Sequence, residues 1–199
     1  MLQIVDLPLP INEFSRPGRK MESISGLVYH YVGVRHQRPM SVWNYFAKDI
    51  PQKKEYGSAH YCIAPDGHIF RFIPDDEVAY HCGTNKKDPA SQRIYTEWAR
   101  QRFPQNTLNP DRTSPNFCTI GIELCFDGAH GEFTEPSLSA AAELGALLCE
   151  MYRIPADNIG THHQVVGWKE CPVYWAKNPE EFDRFRLRII GLLKGRKCK

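Results

Sequence analysis

Apolar and polar positions alternate sharply along the chain, and their period changes several times. ISGLVYHYV (24–32) is β-branched and aromatic and predicts a buried strand carrying a histidine at position 30. SVWNYFAKD (41–49) spaces Val42, Tyr45 and Phe46 as one face of a helix, with Ser41 as its N-cap. SAHYCIAPDGHIFRFIP (58–74) predicts two short strands around Pro65-Asp66-Gly67, because Asp-Gly supplies the positive φ of a tight turn. EVAYHCG (77–83) predicts a further edge segment, and CTIGIELCF (118–126) a central strand with one carboxylate, Glu123, in its middle. TEPSLSAAAELGALLCEMY (134–152) predicts a helix capped near Thr134 or Ser137 whose Leu/Ala face packs on a sheet. NIGTHH (158–163) reads as strand, and NPEEFDRFRLRIIGLLK (178–194) as a closing helix with acids early and bases late, as the helix dipole prefers.

Strands and helices interleave without a repeat, linker or low-complexity tract, so the expected class is α/β: a single domain with a mixed central β-sheet flanked by helices. Residues 1–23, rich in proline and polar side chains, are expected to form an extended N-terminal arm, and 24–199 the main domain. Residues 84–116 carry Pro, Asn and Asp around a short helical stretch, SQRIYTEWARQRF, and are expected to be a surface insertion.

Composition narrows the function. The 199 residues carry 25 Lys and Arg against 23 Asp and Glu, so no global field marks the chain as a nucleic-acid binder. No run of about 18 apolar residues exists to span a membrane. MLQIVDLPLPINEFSRPGRK lacks the basic start, apolar stretch and cleavage site of a secretory signal, so synthesis in the cytoplasm is expected. Seven cysteines, with no C-x-x-C pair, exclude a disulfide framework that uses them all.

A small set of polar residues carries the candidate chemistry. Taken singly, His30 reads as a hydrogen-bonded core residue, Cys171 as a buried thiol and Lys169 as a solvated amine. Together, a histidine from one strand, His162 or His163 from another and Cys171 from the following loop make the three-ligand set of a catalytic zinc site. Glu123 is flanked by Ile120, Ile122, Leu124 and Phe126. Burial there raises the carboxyl pKa toward the range of a general base, unless the residue is a salt-bridged structural glutamate.

Four ordered blocks, VYHYVG (28–33), SAHYCIAPDGHIFRFIPDDEVAYHCG (58–83), IGIELC (120–125) and THHQVVGWKECP (161–172), resemble those of the zinc-dependent N-acetylmuramoyl-L-alanine amidases. This family includes phage endolysins, bacterial autolysins and peptidoglycan recognition proteins. The resemblance implies zinc held by His30, His162 and Cys171, with Glu123 as catalytic acid/base and Lys169 assisting at the carbonyl oxygen. Ile159 and Gln164 favour His162 as second ligand, whereas the commonest family spacing to the cysteine selects His163. His81 and His60 fall in blocks lining the family's substrate groove and are expected substrate contacts, His60 alternatively structural. The implied reaction cuts the amide between N-acetylmuramic acid and the L-alanine of the peptidoglycan stem peptide. The competing readings are a non-catalytic muropeptide-binding protein of the same fold, a muropeptide-recycling amidase and a zinc-stapled structural domain. The expected partner is peptidoglycan or muropeptide, with no nucleic acid and no membrane insertion, the chain being monomeric. An endolysin of this kind would reach the wall through a holin or by lysis.

Overall fold

The structure, a computed structural model, describes residues 2–84, 86–90, 92–103 and 114–197. Six strands form one mixed sheet: β1 (Ile4–Asp6), β2 (Gly26–Tyr31), β3 (Tyr61–Ile63), β4 (Ile69–Arg71), β5 (Thr119–Leu124) and β6 (Ile159–Thr161). Their spatial order is β1-β4-β3-β5-β2-β6, with only the β3–β4 hairpin antiparallel. Gly67 closes that hairpin with φ +90°, the turn conformation that Asp-Gly favours. The extended arm supplies β1, which pairs with β4 at the sheet edge.

Side-chain alternation divides the sheet into two faces. Leu27 and Tyr29 of β2, Tyr61 and Ile63 of β3, and Ile120, Ile122 and Leu124 of β5 face one core. Helix α4 (Glu135–Tyr152) and the closing helix α7 (Pro179–Lys197) cover it with small alanines and with Phe182, Phe185 and Ile189. Thr134 caps α4, accepting from the Ser137 amide, and its hydroxyl also reaches the Pro65 carbonyl in the hairpin turn. Gly145 of α4 permits this close packing, because a side chain there would strike the Tyr29 hydroxyl and lie 3.1 Å from Ile189. Gly145→Val is therefore expected to cost about 1–3 kcal/mol through overpacking. Urea unfolding monitored by circular dichroism measures this, and unchanged stability would show that α4 can shift without penalty.

The opposite face is covered in two parts. Val42, Phe46, Ile50, Cys62, Phe72 and Cys125 form one cluster, and Val28, Ala99, Phe103, Val165 and Val166 belong to another. Between them this face presents His30, Gly121 and Glu123. In an open sheet whose strands are mostly parallel, ligands bind outside the carboxyl ends of the strands, and His30 and Glu123 lie near those ends of β2 and β5.

Several local expectations need correction. The helix expected from Ser41 begins earlier, as α1 (Pro39–Asn44), with Arg38 at the cap position and proline as its first residue. It continues through a wider π-helical turn, Tyr45–Asp49, into α2 (Ile50–Lys53). The 77–83 segment is irregular rather than an edge strand, joined to the arm by an isolated β-bridge between Lys20 and Glu77 and by the Arg16–Glu77 ion pair. Part of the 84–116 segment lies outside the described residues, but its α3 (Glu97–Arg102) is not simply a surface element. Ala99 and Phe103 are buried beside β2, and Trp98 closes over Gly160 of β6. NIGTHH is a strand only as far as Thr161, and the two histidines open a new helix, α5 (His162–Val166).

Candidate active site

Strand β6 ends at Thr161, which with Gln164 forms a reciprocal capping box. Thr161 Oγ1 accepts from the Gln164 amide at 3.2 Å, and Gln164 Oε1 accepts from the Thr161 amide at 3.0 Å. This clasp turns the chain abruptly from strand to helix. His162 and His163 become consecutive helical residues about 100° apart, so their side chains diverge. His163 Nδ1 lies 3.0 Å from the Lys169 carbonyl oxygen, to which it donates. Its amide donates to the Cys171 carbonyl at 2.8 Å. His163 thus ties down the loop before Cys171, while His162 points inward.

His30, His162 and Cys171 converge, with donor atoms all within 4.8 Å of one another. Only 2–3% of each residue is exposed. His30 Nδ1 stands 3.8 Å from Cys171 Sγ. Among the described residues neither ring nitrogen of His162 has a hydrogen-bond partner, which for a buried polar group costs on the order of 1–3 kcal/mol if nothing else satisfies it. Burial, reinforced by the neighbouring histidines and Lys169, pushes the pKa of His30 and of His162 down, so both keep a lone pair. Burial and then the Glu123 charge push the Cys171 thiol up to about 12. Two neutral imidazoles and a thiol that needs a cation to ionise fit a zinc ion well.

A second grouping, His30, His81 and Cys82, also brings its donor atoms within 4.8 Å. It fits a metal less well. Cys82 does not line the adjoining cavity, whereas all three residues of the first grouping do.

That cavity, of about 780 Å³, is lined by His30, His162, Cys171, Glu123 and Lys169. Tyr31, Tyr45, Tyr56 and Tyr80 also line it. Glu123 stands beside His30 because β2 and β5 pair in parallel with those two residues in register. Its Oε2 is enclosed and has no hydrogen-bond partner among the described residues. Burial pushes the carboxyl up to about 7, partly opposed by the positive charge of Lys169.

The pKa of a glutamate in an unfolded chain is about 4.3, so the folded chain holds the Glu123 proton more tightly. The associated stabilisation is full below about pH 4 and is lost as pH rises through 7. In chelator-treated protein, Glu123→Gln should therefore gain stability over the wild type across that window, by up to about 3 kcal/mol. Urea titrations from pH 4 to 8 read the difference, and a flat difference would mean that this carboxylate ionises freely.

His60 and His81 were both expected in the substrate groove. His60 sits behind it, fully buried: its Nδ1 accepts from the Gly121 amide at 3.0 Å and its Nε2 donates to the Glu77 carbonyl at 2.9 Å. Nδ1 ties His60 to β5 and Nε2 ties it to the 77–83 segment, so His60 is a structural clamp. His81 reaches the cavity but is buried, with its ring edge against His30. Asn116 was missed in the sequence. Its Oδ1 accepts from the amides of His81 and Cys82, at 3.0 and 2.6 Å, and so shapes the cavity wall. Cys62, Cys118, Cys125 and Cys149 are buried free thiols, as expected of small apolar residues, and Cys198 lies outside the described residues.

Residues 20–174 match the family model described as N-acetylmuramoyl-L-alanine amidase. The chain belongs to this amidase family. A probable N-acetylmuramoyl-L-alanine amidase of Bacillus licheniformis is 32% identical over 99% of the chain but only 49% of its own length. The amidase CwlL of the same species is 29% identical, over 97% of the chain and 48% of its own length. The chain thus spans about half the length of the curated amidases it matches. Among solved structures, PlyL superposes with a TM-score of 0.65 at 18% identity, covering 94% of this chain and 96% of that one. The catalytic domain of XlyA gives 0.64 at 20% identity, covering 94% and 99%. At such identities these likenesses speak to the fold, and they place the chain among amidase folds with a mixed sheet.

Proposed function

We propose that this chain is a zinc-dependent peptidoglycan amidase, hydrolysing the amide between the lactyl group of N-acetylmuramic acid and the L-alanine of the stem peptide. The observation that carries the reading is the convergence of His30, His162 and Cys171 with Glu123 and Lys169 on one cavity. His30, His162 and Cys171 would hold the ion. Bound there, zinc would polarise the scissile carbonyl and bring the pKa of an attacking water to about 7.

Glu123, poised near 7, takes the proton of the attacking water through the carboxylate oxygens and delivers it to the leaving nitrogen of L-alanine. Lys169, on the loop pinned by His163, supplies positive charge where the carbonyl oxygen gains negative charge, an effect typically worth about 3 kcal/mol. The tyrosines lining the cavity offer faces for sugar and peptide. One chain supplies every group, so the unit acts as a monomer. Residues 24–199 would form the catalytic body and residues 1–23 an N-terminal arm, which supplies β1. The site of action is the cell wall, and among the described residues no helix is long and apolar enough to cross a membrane.

Digestion of purified peptidoglycan, with chelator and zinc-restored controls and mass spectrometry of the new ends, tests the reading. Free L-alanine amino termini that vanish with chelator are expected. New reducing sugars would indicate a glycosidase, and binding without cleavage a recognition protein.

A further inference from the structure

The sequence places His81 in the substrate groove, but its ring is held too completely for that role. It is 6% exposed. Its Nε2 lies 3.1 Å from the Thr119 carbonyl oxygen and 3.3 Å from Thr119 Oγ1. The Thr119 hydroxyl hydrogen is spent on the Pro115 carbonyl at 2.7 Å, so both threonine oxygens can only accept from His81. His81 Nε2 must therefore carry its proton, and in a neutral ring Nδ1 is then a lone pair. That nitrogen lies 3.1 Å from His30 Nε2. Cys82 Sγ, also 3.1 Å away, can only add a weak S–H donor to the same lone pair.

The consequence passes to the next ring. His30 Nε2 must donate to His81 Nδ1, so the lone pair of neutral His30 is placed on Nδ1, the nitrogen beside Cys171. A second observation shows how the relay is held in place. His81 lies flat on strand β5 at Gly121, where a Cβ would come within 2.6 Å of the ring carbon Cγ. Only glycine at this position leaves room for the ring.

We propose that His81 is a positioning residue: with the Thr119 carbonyl it fixes the tautomer and orientation of His30, so that His30 Nδ1 is presented to the metal. The inference rests on the zinc reading of the site. A partner on the far nitrogen of a metal-binding histidine typically accounts for about 10–100-fold in metal affinity.

The test measures zinc dissociation constants of the full chain by competition with a fluorescent chelator, alongside KM for peptidoglycan fragments. His81→Phe keeps the ring volume and removes the acceptor, and is expected to weaken zinc binding by about 10–100-fold with KM little changed. His81→Asn keeps an acceptor near the Nδ1 position and should restore most of the affinity. Gly121→Ala, which displaces the ring without altering any ligand, should weaken zinc in the same direction. Unchanged zinc affinity in His81→Phe, or a raised KM alone, would overturn the proposal in favour of a substrate contact. Two zinc ions per wild-type chain, one of them lost in His81→Phe, would overturn it in favour of a second metal site. Nitrogen-15 spectra of histidine-labelled wild type stand even if a variant does not fold. A protonated His30 Nε2 supports the relay, and a protonated Nδ1 refutes it. Because the tautomer is read in the metal-free chain, failure to bind zinc would sink the proposed function while leaving the relay separately decided.

Discussion

Glu123→Gln is expected to lower kcat by about 10²–10⁴-fold while the chain remains folded and holds zinc as tightly as the wild type. Gln matches Glu in shape and preserves strand β5, so packing is not the cause. What disappears is a group able to take a proton from water and return it to a leaving amine. The Glu123 carboxyl, pushed up to about 7, is half ionised near neutral pH, where transfer in both directions is efficient. Steady-state hydrolysis of a muropeptide, paired with zinc content by mass spectrometry, separates the chemical defect from metal loss. Turnover within about threefold of wild type would remove Glu123 from the reaction.

The second large effect concerns the metal. Cys171→Ser and His162→Ala should each reduce bound zinc from about one per chain to a small fraction, whereas His163→Ala should leave it near stoichiometric. Serine lacks the soft sulfur that zinc selects, and alanine at 162 removes one of two imidazoles. His163 faces the Lys169 carbonyl instead, so its loss should loosen the loop that positions Lys169 and lower kcat more than zinc content. Zinc retained in His162→Ala but lost in His163→Ala would reverse the assignment.

The parts of this site that stood out in the sequence are those that violate a local pattern. A carboxylate inside Ile-Gly-Ile-Glu-Leu and a histidine inside Leu-Val-Tyr-His-Tyr interrupt apolar strands, and each does face the cavity. The parallel pairing that brings His30 and Glu123 side by side could not be read, because register between strands 93 residues apart depends on the whole sheet. Residues 158–163 read as strand through both histidines, yet the signal for a helix start is present in Thr161 and Gln164, spaced as a capping box. His60 and His81 share a block and a residue type, and only three-dimensional hydrogen bonding distinguishes a clamp from a neighbour of His30. The 84–116 segment looked polar by composition, but Trp98 and Phe103 anchor it against β6 and β2.

The His30–Glu123 pairing has a consequence for substitution. Both residues are mounted on adjacent strands whose spacing of about 4.8 Å is set by backbone hydrogen bonds, the least variable distance in the molecule. The cavity walls contributed by Tyr45, Tyr56 and Tyr80 lie outside the strands, on helical turns and irregular segments. Substitutions in those walls can therefore change what the cavity fits while the spacing of its two buried polar groups stays fixed.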